Sequence, residues 1–102
     1  MVENITDKYG NDIYITDEHW EHIYKRHPEI IGFEQSVIKT IRTGDRKEMM
    51  LEPGVFRYSK TFLNLPNSHS HIVVIIKFEQ QLASNHTINE NNFVITAYMK
   101  QV

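Results

Sequence analysis

Five consecutive aliphatic residues, Ile72-Val73-Val74-Ile75-Ile76, form the longest apolar run of the chain. A run with no polar alternation is the pattern of a strand inside a sheet rather than at its edge, and this one is far too short to span a bilayer. It therefore predicts a central strand, for which the rest of the chain must supply neighbours and a cover. A chain of 102 residues has room for one hydrophobic core, so a single domain over residues 1–102 is expected.

The flanking patterns fill in that domain. Ile13 and Ile15 alternate with Tyr14 and Thr16, which predicts a hairpin over residues 3–16 turning at Gly10-Asn11. Thr16 or Asp17 is a good N-cap, Glu18 and Glu21 suit the positive end of a helix, and Pro28 stops it, so a first helix is predicted over Asp17–Arg26. A second runs from Phe33 to Arg42 with Phe33, Val37, Ile38 and Ile41 as its buried stripe and Gly44 as a left-handed stop. Beyond Gly44 the period becomes two. Strands are predicted over Met49–Glu52, Val55–Phe62, His71–Gln80 and Phe93–Met99, with loops at 63–70 and 81–92. Successive strands without intervening helices pair antiparallel, giving an α+β fold: an N-terminal hairpin and two helices packed on an antiparallel sheet of about four strands.

Periodicity also sorts the side chains. On the first helix Trp20, Ile23 and Tyr24 share the core-facing arc, while His19, His22 and Arg26 form a flank beside it. In the last strand strict alternation puts Phe93, Ile95, Ala97 and Met99 on one face and Val94, Thr96, Tyr98 and Lys100 on the other. In the Val55 strand Tyr58 and Lys60 project together and Arg57 opposes them.

Candidate chemistry concentrates in Thr16–Glu29, which holds His19, His22 and His27 with Lys25 and Arg26. Histidine gives and takes protons near neutral pH, and Arg and Lys are natural partners of phosphate. The chain has no cysteine, so neither a disulfide nor a thiolate is available. The spacing His19-x2-His22-x4-His27 lacks the supporting ligands of a zinc site, and a helix ended by Pro28 does not make the three rings converge; neither metal nor cofactor is expected. The formal charge of −2 excludes a broad basic coat for nucleic acid. Lys39, Arg42, Arg46, Lys47, Arg57 and Lys60 nevertheless make the middle of the chain locally basic. The N-terminus has no signal-peptide pattern, so a cytoplasmic protein with no membrane association is expected. The sequons at Asn4 and Asn85 then have no chemical consequence.

The ordered set His22-Ile23, His27-Pro28-Glu29, Arg57-Tyr58-Ser59-Lys60, Val73-Val74-Ile75-Ile76-Lys77 and Thr96-Ala97-Tyr98 resembles the barnase/EndoU/colicin/RelE superfamily of small RNases, in its phage-associated or toxin-type branches. The likeness spans roughly Ile5 to Tyr98, each motif being short. It implies a metal-independent endoribonuclease that cleaves RNA by attack of the 2'-hydroxyl on phosphorus. It also implies RNA as substrate and, for a toxin-type member, a protein antitoxin or immunity partner. Carried over by position, the resemblance makes His22 and His27 base and acid, groups Lys60, Thr96 and Tyr98 with them as catalytic, and makes Arg57, Tyr58 and Lys77 substrate-binding; Arg26, on the helix flank with His22, is expected to bind substrate with them. The slight acidity departs from the basic ribosome-directed members and points to another structured RNA, or to lost activity. The alternative is a catalytically inactive RNA- or protein-binding module of the same fold. Trp20 and Tyr24 are assigned to packing, and His69 and His71, outside the resemblance, have no assigned role.

Overall fold

An Ile5–Ile13 pair and a glycine at the turn close the N-terminal hairpin as expected. In the computed structural model, which describes residues 2–82, 85 and 88–101, β1 (Val2–Thr6) pairs antiparallel with β2 (Asp12–Thr16). Gly10 sits at φ +86°, where an L side chain is strained. Thr16 ends β2 and caps α1 (Asp17–Arg26). The chain then makes a 3-10 turn at Pro28–Ile30 and enters α2 (Glu34–Thr43). Four strands follow: β3 (Asp45–Glu48), β4 (Val55–Thr61), β5 (His71–Leu82) and β6 (Ile88–Lys100).

The α+β class and the packing of two helices on a sheet hold. The sheet is larger than expected, with six strands in the order β1-β2-β6-β5-β4-β3. It is mixed, because β2 runs parallel to β6 through the Tyr14–Phe93 pair. The N-terminal hairpin is thus part of the sheet. The segment expected as a strand at Met49–Glu52 belongs to the turn, and β3 lies just before it. Asp45-Arg46-Lys47-Glu48 is all charged and carries no alternation, as suits a protected edge strand. The 81–92 loop is shorter than expected, since residues 88–92 are strand; His86 and Thr87 of the second sequon lie outside the described residues.

The core sits on one face of the sheet. Ile13 and Ile15 of β2, Tyr58 of β4, Ile72, Val74 and Ile76 of β5, and Val94, Ala97 and Met99 of β6 meet Trp20 and Ile23 of α1 and Val37, Ile38 and Ile41 of α2. The Ile72–Ile76 run is the centre of the sheet, as its pattern predicts. Gly44 ends α2 in extended backbone, φ −73° and ψ 163°, rather than as a left-handed stop. Its smallness is needed for approach, because a Cβ there would lie 2.8 Å from the Ser59 carbonyl oxygen and closer still to that of Thr40.

The sheet coils around α2 until its two ends meet. Asp7, in the β1–β2 turn, accepts the Tyr9 and Asn11 backbone N–H groups at 2.9 and 2.8 Å on one carboxylate oxygen. Its other oxygen accepts the Tyr58 hydroxyl and, at 3.4 Å, the Arg46 guanidinium. Arg46 also donates to Asn11 at 2.8 Å, and its guanidinium lies 4.1 Å from the centre of the Tyr9 ring. Beside it Lys8 donates to Asp45 at 2.7 Å. No helix among the described residues is long and apolar enough to cross a membrane.

Candidate functional site

Strand pairing decides which polar side chains share a surface, since partners across an antiparallel ladder point to one side. Ile75 of β5 pairs with Arg57 on β4 and Thr96 on β6, so these three form a row on the face opposite the core. The next row is Ser59, Val73 and Tyr98; the one after is Thr61, His71 and Lys100. On the other side of the Arg57 row come Val55, Lys77 and Phe93. At the usual spacing of adjacent strands the Arg57 and Thr96 Cα atoms lie about 10 Å apart, within reach of an extended arginine. We call this surface the open face.

Thr96, Tyr98 and Phe93 share it because of a β-bulge. The register runs Ile75–Thr96 and then Ile76–Val94, leaving Ile95 unpaired. The extra residue resets the alternation. Val94 turns to the core with Ala97 and Met99, and Phe93 turns to the open face with Thr96 and Tyr98. Strict alternation had put Val94 with Thr96 and Phe93 with Ala97.

Helix α1 stands at the margin of this face. Trp20 and Ile23 pack into the core, while the rings of His19 and His27 reach the other way, His19 onto Phe93 and His27 onto Tyr98. The His27 and Tyr98 centroids lie 5.5 Å apart. His27 is placed by the end of the helix: its N–H donates to the Ile23 carbonyl at 2.7 Å, and Pro28 turns the chain immediately after. Its Nδ1 is 3.7 Å from the Glu29 carboxylate. His22 and Arg26 are exposed on the helix flank that begins at His19.

The structure therefore brings His27, Thr96, Tyr98 and Arg57 to one face, with Lys77 on the adjoining row. The Thr96 hydroxyl is buried and has no hydrogen-bond partner among the described residues. Lys60 and Tyr58 do not join them. Both alternate to the side bearing the helices, Lys60 opposite the fully buried Ile72 and Tyr58 opposite Val74. Tyr58 is itself completely buried; burial and the Asp7 carboxylate push its hydroxyl pKa up. It ties the fold together and offers no surface to a substrate. Lys60 lines an edge groove of about 310 Å³ with Thr43, Asp45, Ser59, Thr61 and His71.

His71 is the residue that sequence reasoning left without a role. It lies diagonally across the β5–β6 ladder from Tyr98 on the open face. Its Nδ1 is 2.7 Å from the Ser70 hydroxyl and its Nε2 3.1 Å from that of Thr61. The signal was present as period two, because His71 is in phase with Val73 and Ile75, but its relation to Tyr98 depends on the pairing of two strands. Among the described residues no three His, Asp or Glu side chains converge as a metal site.

The site so assembled joins imidazoles at two of its sides, hydroxyls of Thr96 and Tyr98, and the Arg57 cation. Imidazoles can transfer protons, and hydroxyl and guanidinium donors can stabilise a developing oxyanion. Compared with family models, curated proteins and solved structures, the chain has no match.

Proposed function

We propose that this chain is a metal-independent endoribonuclease-like domain acting on its open sheet face, as its resemblance to small RNases of toxin or phage-derived type implies. The observation that carries the proposal is the contact of His27 with Tyr98 beside the buried Thr96 hydroxyl, which has no hydrogen-bond partner among the described residues and lies in one row with Arg57. In this reading one imidazole takes the proton of the 2'-hydroxyl as its oxygen bonds to phosphorus. The other gives a proton to the 5'-oxygen as the P–O5' bond breaks, leaving a 2',3'-cyclic phosphate and a 5'-hydroxyl. His27 is one of these groups, and His22 or His71 is the other. Arg57, Thr96 and Tyr98 face the charge that develops on the phosphoryl oxygens. Arg26 and Lys77 hold neighbouring phosphates, and Lys60 serves the edge groove beside His71.

The test is incubation of the purified domain with total RNA in EDTA, beside a His27→Gln variant. Cleavage that survives the chelator, yields cyclic phosphate ends and is lost in the variant supports the reading. Dependence on added divalent metal would sink it.

A binding module of the same fold is the second reading, favoured by the half-buried aromatics Phe93 and Tyr98 that lie among Arg57, Lys77 and Lys100 on one sheet face. In that case RNA binds, weakens with salt and stays intact. A protein antitoxin or immunity partner and a cytoplasmic location belong to the toxin form of the first reading.

A further inference from the structure

Three rings meet where β2, β6 and α1 converge: Tyr14 and His19, given no role above, and Phe93, given one only in the binding module. The His19 imidazole is stacked on Phe93, centroids 6.0 Å apart and planes 11° from parallel. Tyr14 tilts against both, at 5.9 Å from His19 and 6.1 Å from Phe93. All three side chains are half-buried, so the cluster keeps an accessible side. The Ile95 bulge turns Phe93 to the open face, and the single Tyr14–Phe93 pair of the parallel ladder brings Tyr14 to it.

The histidine is held in one tautomer. Its Nδ1 accepts the Thr16 backbone N–H at 3.0 Å, while the backbone N–H of His19 donates to the Thr16 hydroxyl at 3.1 Å. An Nδ1 that accepts carries no proton, so the ring proton of the neutral form is on Nε2. Burial lowers the His19 pKa, which favours the neutral ring. A neutral, oriented imidazole beside two aromatic rings is a stacking surface with a donor at its rim.

The charges beside the cluster indicate what it stacks. Lys77 is the cross-strand partner of Phe93, and Arg57 and Lys47 continue the same face toward β3. Acids also lie nearby: Asp12, two residues before Tyr14 on the same face of β2, Asp17 and Glu18 in the first turn of α1, and Glu79, two residues beyond Lys77. Aromatic faces with cations alongside fit a single-stranded nucleic acid, whose bases stack while its backbone follows the positive charge.

We propose that Tyr14, His19 and Phe93 form a nucleobase subsite for single-stranded RNA, one base stacking on the cluster while the adjoining phosphate lies toward Lys77 and the Thr96 row. The inference rests on the open face being the RNA-binding surface. It adds that the substrate is unpaired at the bound nucleotide, because a base inside a duplex has no free face to stack.

The experiment measures binding of a short single-stranded oligonucleotide, 2'-O-methylated throughout so that it cannot be cleaved, against an abasic oligonucleotide of equal length and charge. The wild type is expected to bind the base-bearing form about 5-fold or more tightly. Phe93→Leu, which keeps an apolar side chain but has no aromatic face, is expected to bind both alike. Equal wild-type affinities would overturn the subsite without any variant, even with the RNase activity intact. Persistence of the preference in a folded Phe93→Leu protein would overturn it too, placing the stacked base elsewhere. Failure to bind either oligonucleotide would overturn the RNA reading of the open face and the subsite with it, whereas base-dependent binding without RNA cleavage would leave the subsite standing and remove only the nuclease.

Discussion

The His27 ring rests against Tyr98, with centroids 5.5 Å apart, although the two residues belong to opposite ends of the chain. A proline-terminated helix delivers one and the last strand the other. If this pair works on phosphate, His27→Gln lowers RNA cleavage about 100-fold or more with little change in thermal stability, because the ring is one-third exposed. Tyr98→Phe keeps the ring contact and removes only the hydroxyl. Cleavage rates and melting curves on both variants separate chemistry from packing.

Adjacent positions on β4 point to opposite faces of the sheet. Tyr58→Phe removes the hydroxyl donor from one oxygen of the buried Asp7 carboxylate, leaving that oxygen only the longer Arg46 contact, and is expected to destabilise the fold by about 2 kcal/mol, with no effect on RNA affinity. Arg57→Ala is expected to do the reverse, with stability nearly unchanged and the slope of log affinity against log salt reduced by about 0.7. Urea melts and salt titrations of the two variants make the check.

Thr96 carries a buried hydroxyl that has no partner among the described residues. Thr96→Val keeps the shape and removes that group, so the free protein is expected to be as stable as the wild type or slightly more so. RNA cleavage is expected to fall. A loss of stability without a loss of cleavage would assign Thr96 to the fold.

His19 titrates below its ordinary value because it is partly buried. The unfolded chain therefore binds its proton more readily than the folded one, and the resulting stability is complete above pH 6.5 and is lost as pH falls from there toward the folded pKa. His19→Phe keeps a ring over Phe93 and removes the titration. Its stability is expected to decline less than that of the wild type on acidification, as read by urea melts across that range.

Gly44 leaves no room for a methyl group between the carbonyls of Thr40 and Ser59. Gly44→Ala is expected to cost about 1–3 kcal/mol, measured by urea unfolding, through displacement of the start of β3 from β4.

Local rules reached far into this chain. The bounds of α1 followed from a cap and a proline, its buried stripe from a period of 3.6, and the central strand from an unbroken aliphatic run; each is a property of neighbours in sequence. The flank of His19, His22 and Arg26 was legible for the same reason. Edge strand β3 was not, since a fully charged segment has no alternation to read. Nor was the bonding of Asp7 to Tyr58, which joins residues 51 positions apart.

The faces of the last strand show where sequence stops. Composition and period alone established an α+β domain with histidines along one helix margin and polar side chains on a late strand. Whether Phe93 stands with Thr96 or with Ala97 depended on one unpaired residue, Ile95, and whether Lys60 or Arg57 meets Thr96 depended on the register of three strands. Period two is a local signal, but which strand lies opposite, and where a bulge resets the phase, is chosen by the packing of distant segments over a shared core. Tertiary structure therefore determined the membership of the site.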